Sequence, residues 1–186
     1  TDEKVVQRVM EEISSVAGNR QITPKDLDDM KYLELVVLEG CRRYAPAAVL
    51  SRKVANDSEL CGYKIPAGSI LHVNVHAVHM DAKNWPNPEK FDPLRFADGK
   101  WHPYGWVPFG AGPRGCPGKR STINICKAVF ATLLQKYRVI NPHGAESLDT
   151  YLPNKYAAWS PTGVPLRFEK RPLQAVNPSA DSEVFA

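Results

Sequence analysis

Between Phe109 and Gly118 the sequence reads FGAGPRGCPG, one thiol among four glycines and two prolines. Gly110, Gly112 and Gly115 permit positive backbone dihedrals and close approach of the main chain to a flat ligand. Pro117 stands where a first helical residue would, which predicts Cys116 near the N-cap of the helix that follows. The free N–H groups of Gly118 and Lys119, with the positive end of that helix, would favour a thiolate over a thiol. A thiolate on a rigid loop beside an aromatic ring and an arginine is suited to ligating a metal. A single loop cysteine taken alone is more often a buried structural residue.

Glu39 and Arg42 lie three apart in a helical pattern and project from one face. On a surface such a pair contributes roughly a few tenths of a kcal/mol. Leu35 and Leu38 flank it, however, which predicts at least partial burial and further hydrogen bonds from elsewhere in the chain. His72, His76 and His79 have helix-like spacing for a metal, but His72 falls in a strand pattern and no acid or cysteine converges on them. Surface or internally satisfied histidines are the expectation. Trp85, Trp101 and Trp106 read as anchors of an irregular segment rather than a stacking platform for nucleic acid. Lys119, Arg120 and Lys127 mark the polar side of the helix after Cys116, a pattern that usually means a solvated face.

The frame for these residues is a chain of 186 residues, near the size of one ordinary domain. It is 43% hydrophobic and 24% charged, the profile of a soluble globular protein. A net charge of +4 without a long basic run does not point to nucleic acid. Cys41, Cys61, Cys116 and Cys126 form no CxxC pair, so neither a zinc site nor a disulfide framework is indicated. Free thiols fit a reducing compartment. No apolar run approaches membrane-spanning length. The chain opens inside a helical pattern without an initiator Met and reads as a piece of a longer protein.

Apolar spacing predicts a first helix through Val5, Val9 and Ile13 that ends before Gly18, and a short helix capped at Thr23-Pro24. A longer helix from Asp28 or Asp29 to about Arg43 should carry Leu33, Val36, Val37 and Leu38. Strands are expected over 48–54, 60–65 and 70–75, together a small sheet. Residues 81–108 hold five prolines and form a long irregular segment, which is usually functional. A helix over 119–136 should turn Ile123, Cys126, Val129, Phe130 and Leu133 to its apolar side. A strand over 137–140 and a hairpin of 156–159 with 164–168 follow. Beyond Arg171 a flexible tail, 172–186, is expected.

Phe109, Gly112, Arg114, Cys116 and Gly118 resemble, position for position, the haem-binding loop FxxGxRxCxG of the cytochrome P450 family. The stretch ELVVLEGCRR carries the family's ExxR at Glu39 and Arg42, and FDPLRF carries the arginine of its P-x-R-F segment at Arg95. Leu94 stands where that segment often has a glutamate. The resemblance covers about residues 1–171 and only the C-terminal portion of the catalytic domain. It implies an α+β, mainly α fold of helices, small sheets, an irregular meander, the cysteine loop and a long helix.

The cofactor it implies is haem b, with Cys116 as the axial thiolate that favours O–O cleavage. Phe109 would shield the sulfur, and Arg114 would pair with a propionate. Glu39, Arg42 and Arg95 would form a structural charge network under the haem. Arg52 would be a second propionate partner, or else an ordinary exposed strand arginine. Residues 45–50, with small side chains at Ala45, Ala47 and Ala48, and the region 152–158 would border the substrate pocket.

The function implied for the parent protein is monooxygenation of a lipophilic organic substrate, using dioxygen and an electron donor. Peroxide rearrangement on the same fold, or a truncated haem-binding fragment without catalysis, are the alternatives. A flavoprotein or iron–sulfur donor would be steered by Lys119, Arg120 and Lys127. The wording of the motifs resembles the microsomal branch, which implies the endoplasmic reticulum membrane and an anchor upstream of Thr1. The acid–alcohol pair that delivers protons to dioxygen would also lie upstream, so the isolated piece is expected to be inactive.

Overall fold

The structure is a computed structural model and describes residues 3–142 and 166–171. Its helices are α1 (Glu3–Ala17), α2 (Pro24–Asp29), α3 (Lys31–Arg43), α4 (Val75–His79) and α5 (Lys119–Lys136). Its strands are β1 (Val49–Lys53), β2 (Ser58–Leu60), β3 (Tyr63–Ile65), β4 (Ile70–Asn74), β5 (Tyr137–Ile140) and β6 (Arg167–Lys170). The fold is α+β and mainly helical, with the strands paired two by two.

Helix α1 buries Val9, Ile13 and Ala17 and ends where Gly18 turns to a positive φ of 55°. At the start of α2 the Asp26 carboxylate accepts the Thr23 N–H at 2.7 Å and both ends of the Arg20 guanidinium. Helix α3 begins at Lys31, later than Asp28 or Asp29, because Met30 belongs to the C-cap of α2. Its unpaired first-turn N–H groups are met from outside the helix. The Glu12 carboxylate of α1 accepts those of Tyr32 (2.6 Å) and Leu33 (2.8 Å). Val9, Ile13, Leu27, Met30, Leu33 and Ala131 close the first core, which joins α1, α2, α3 and α5.

Two expectations fail in the strand region. Residues 60–65 are not one strand but parts of two, β2 and β3, which pair antiparallel about Cys61-Gly62. Both turn residues have positive φ, 51° and 83°, the geometry of a two-residue hairpin turn. The expected single sheet is therefore two separate ladders, β1 with β4 and β2 with β3. The strand expected to reach Val75 stops at Asn74, whose side-chain oxygen accepts the Ala77 N–H at 2.9 Å and caps α4.

The irregular segment is held by a second core centred on Phe96. Its ring lies 5.2 Å from Trp85, 5.1 Å from Trp101 and 6.0 Å from Trp106 between centroids. Leu35, Leu38, Phe109 and Ile123 pack around this cluster. The tryptophans are anchors, as the sequence suggests.

Helix α5 spans the expected residues, and of its expected face Ile123, Cys126 and Leu133 are partly buried while Val129 and Phe130 are not. Ala131 is buried, with Ala128 and Leu134 against the first core, whereas Val129 and Phe130 are 47% and 43% exposed. Apolar residues occur nearly all round this helix, so its periodicity does not single out one side. Strands β5 and β6 pair antiparallel, Tyr137 opposite Lys170. The expected hairpin of 156–159 with 164–168 lies outside the described residues apart from its end, and the expected tail lies wholly outside them.

Candidate functional site

The cysteine loop is closed by its own backbone. Phe109 C=O accepts the Cys116 N–H at 2.8 Å, and Val107 C=O accepts the Gly110 N–H at 3.0 Å. Gly110 and Gly112 have positive φ, 71° and 69°, as their type predicts. Gly115 does not. Its φ is −61°, and a side chain there would instead meet the Gly112 carbonyl oxygen at 3.2 Å.

The helix begins later than the sequence suggests. Gly118 is the N-cap and Lys119 the first helical residue, so Pro117 is not helical and Cys116 sits two residues before the cap. The Lys119 N–H points at the Cys116 carbonyl (3.5 Å), so it is not the free donor expected near the sulfur. The Cys116 thiol is free and the residue exposed. A Cβ on Gly118 would lie 3.7 Å from its sulfur, so the missing side chain keeps that flank open.

Two arginines belong to this loop and the strand beside it, neither paired with a described carboxylate. Arg114 is exposed and has no partner among the described residues. Arg52 is exposed on β1, and its hydrogen bond among the described residues goes to the neighbouring Ser51 C=O. Strand β1 does approach the loop, since Leu50 Cδ1 lies 3.6 Å from where a Gly110 Cβ would be. Arg52 shares the face of Leu50, two residues along the strand. Ala48 is itself buried, so it does not line open space. Region 152–158 lies outside the described residues.

Glu39, Arg42 and Arg95 meet, and the first two are fully buried. Arg42 donates to both Glu39 carboxylate oxygens, at 2.7 and 2.9 Å. Its guanidinium also donates to the carbonyls of His79 and Pro88, each at 2.7 Å. Glu39 further accepts the Asp92 N–H at 2.9 Å and Arg95 Nε at 3.1 Å. Arg95 donates in turn to Pro86, Asn87 and Lys90 carbonyls. These bonds satisfy the buried charges and staple the irregular segment to α3.

The basic set does not stay together. Arg120 is exposed, and Lys119 lies 4.9 Å over the Trp106 ring. Lys127 is buried and paired with Glu34 at 2.8 Å, so it cannot meet a docking partner. Its position beside Cys126 on an apolar-rich helix was the available signal.

His79 is an internally satisfied histidine, one of the two outcomes the sequence allows, but its partners are not visible from spacing. It is fully buried, with Nδ1 3.0 Å from Arg42 C=O and Nε2 accepting the Val107 N–H at 2.9 Å. Burial holds its pKa down at about 4, and the Arg42 charge adds to the effect. Cys41 is likewise inert, its pKa pushed up to about 11 by burial, with Cys126 contributing.

An exposed thiol on a glycine-shaped loop, with two guanidiniums uncommitted to any described carboxylate, fits an iron ligated by Cys116 and an anionic macrocycle.

Comparison with known proteins bears on the family. The chain is 44% identical over 114 residues to "Thromboxane-A synthase" of Rattus norvegicus, covering 60% of this chain and 21% of the relative. It is 35% identical over 139 residues to "Cytochrome P450 4c3" of Drosophila melanogaster, covering 72% and 26%. To "Cytochrome P450 71A8" of Mentha piperita it is 35% identical over 152 residues, covering 78% and 30%. The chain thus spans less than a third of the length of these relatives. The family profile described as Cytochrome P450 matches residues 1–164, and the chain belongs to the cytochrome P450 family.

Proposed function

We propose that the protein of which this chain forms part is a haem-thiolate monooxygenase, inserting one oxygen atom from dioxygen into a lipophilic organic substrate. The exposed Cys116 thiol, fixed by its N–H bond to the Phe109 carbonyl, is the observation that carries this reading. Haem b, when bound, supplies the oxygen chemistry. Cys116 would ligate its iron, and Arg114 and Arg52 would hold its propionates by charge-assisted bonds. Phe109 would cover the sulfur, and Gly112 and Gly118 would keep the loop free of side chains. Glu39, Arg42 and Arg95 would hold the segment beneath the macrocycle in place without touching substrate.

Arg120, with Lys119, would steer an acidic flavoprotein or iron–sulfur donor; Lys127 is excluded by its burial. The motif resemblance supports the endoplasmic reticulum membrane as the location. Among the described residues no helix is long and apolar enough to cross a membrane.

The second reading is peroxide rearrangement on the same site, which needs neither dioxygen nor donor. The similarity to "Thromboxane-A synthase" favours it. Carbon monoxide difference spectroscopy on the reduced, haem-loaded protein tests the thiolate reading. A strongly red-shifted Soret band is expected, and Cys116→Ser should abolish it. A Ser variant that keeps the band removes Cys116 as ligand. Turnover that depends on donor and dioxygen separates monooxygenation from rearrangement.

A further inference from the structure

We infer that His79 is the positioning residue that ties the cysteine loop to the buried charge network. The inference rests on the reading of Cys116 as thiolate ligand.

His79 ends α4 and is fully buried, bonded through both ring nitrogens. The Arg42 carbonyl can only accept, so Nδ1 must carry the proton; the Val107 amide can only donate, so Nε2 must be bare. Only the neutral Nδ1–H tautomer satisfies both. Arg42 answers in kind, its Nη1 donating to the His79 carbonyl at 2.7 Å.

On the other side the contact reaches the loop directly. Val107 stands two residues before Phe109, and its carbonyl holds Gly110 at the first positive-φ turn. Phe109 in turn accepts the Cys116 N–H. Hydrogen bonds therefore lead from Arg42 through His79 and Val107 to Gly110, and the Phe109–Gly110 peptide links them covalently to the carbonyl that holds the Cys116 N–H. An imidazole sets its donor and acceptor across a ring. An Asn or Gln amide sets them side by side on one carbon and can keep only one of the two contacts in place.

The test compares His79→Phe and His79→Gln in the haem-loaded full-length protein, with two readouts. In His79→Phe the Val107 amide should exchange with solvent faster by on the order of tenfold or more, the effect of losing a buried acceptor. The red-shifted thiolate band should give way to one without thiolate ligation. His79→Gln should restore part of both, because its amide oxygen can still accept from Val107. Wild-type exchange and an intact band in His79→Phe would overturn the assignment.

If neither variant folds, nitrogen NMR of the wild type decides. A bare Nε2 coupled to the Val107 N–H supports the role, and a protonated Nε2 overturns it. A wild-type protein with no thiolate band would overturn the proposed function instead. With that band present, failure of the His79→Phe readouts overturns only the role of His79.

Discussion

Lys127 Nζ lies 2.8 Å from Glu34 Oε2, and the two partners sit in different media: the lysine side chain is 2% exposed and the glutamate 43%. The pair joins α3 to α5, the helix that follows the cysteine loop. Its burial is lopsided, so its two truncations should differ. Glu34→Ala leaves a buried ammonium without its carboxylate and should cost about 2 kcal/mol, below the usual value for a fully buried pair because water reaches Glu34. Lys127→Met leaves a half-exposed carboxylate that water can solvate and should cost less than about 1 kcal/mol. Denaturant unfolding of the two variants checks the order. Equal losses, or a larger loss for Lys127→Met, would contradict it.

The same burial makes the roles proposed for the basic residues separable by experiment. If the proposed function holds, Arg120→Glu should raise the donor's apparent KM and weaken its salt dependence, since an exposed charge near the cysteine loop acts through the long-range field. Lys127→Met should leave both unchanged. Steady-state kinetics across a range of ionic strength distinguishes them. A donor effect of Lys127→Met equal to that of Arg120→Glu would mean that the lysine leaves its pocket.

The cysteine loop and the ExxR pair were legible because each is local: a fixed spacing in a single stretch carries the geometry. The partners of Arg42 at His79, Pro88 and Lys90 were not, since they are carbonyls brought in by folding and any residue type offers one. Lys127 misled because charge on a helix is usually solvated, and its long-range partner Glu34 leaves no mark on the spacing. The hairpin at Cys61-Gly62 escaped because cysteine is not a usual turn residue. His79 escaped for a related reason. A five-residue helix shows too little periodicity to announce its buried side.

Glu39 is the hub of the network, accepting from Arg42, Arg95 and the Asp92 amide with no solvent contact. Glu39→Gln keeps the shape but removes the charge and turns an N–H₂ toward donors. A loss of about 3–5 kcal/mol is expected, the usual result of unpairing a buried charge. Arg42→Lys should fare little better, because an ammonium cannot reproduce the guanidinium fork that reaches Glu39 and two carbonyls at once. Unfolding midpoints measure both. A loss below about 1 kcal/mol for Glu39→Gln would show that the cluster relaxes to find other partners.

His79 gives the fold an acid-sensitive step whose sign is fixed. Burial lowers its folded pKa from 6.5 to about 4, and Arg42 and His76 both oppose a positive charge there. The folded state therefore prefers the neutral ring. This contribution is fully present above pH 6.5 and is lost as pH falls from 6.5 toward 4, to a total of about 3 kcal/mol. Asp26 acts in a separate, lower window. Its carboxylate is held well below its usual value of 3.8, first by the Arg20 hydrogen bond and then by Thr23, so its contribution is lost only below that value. Unfolding measured between pH 6.5 and 4 should show a falling limb that His79→Gln removes and Asp26→Asn leaves in place. A limb that persists in His79→Gln would assign the acid sensitivity to another group.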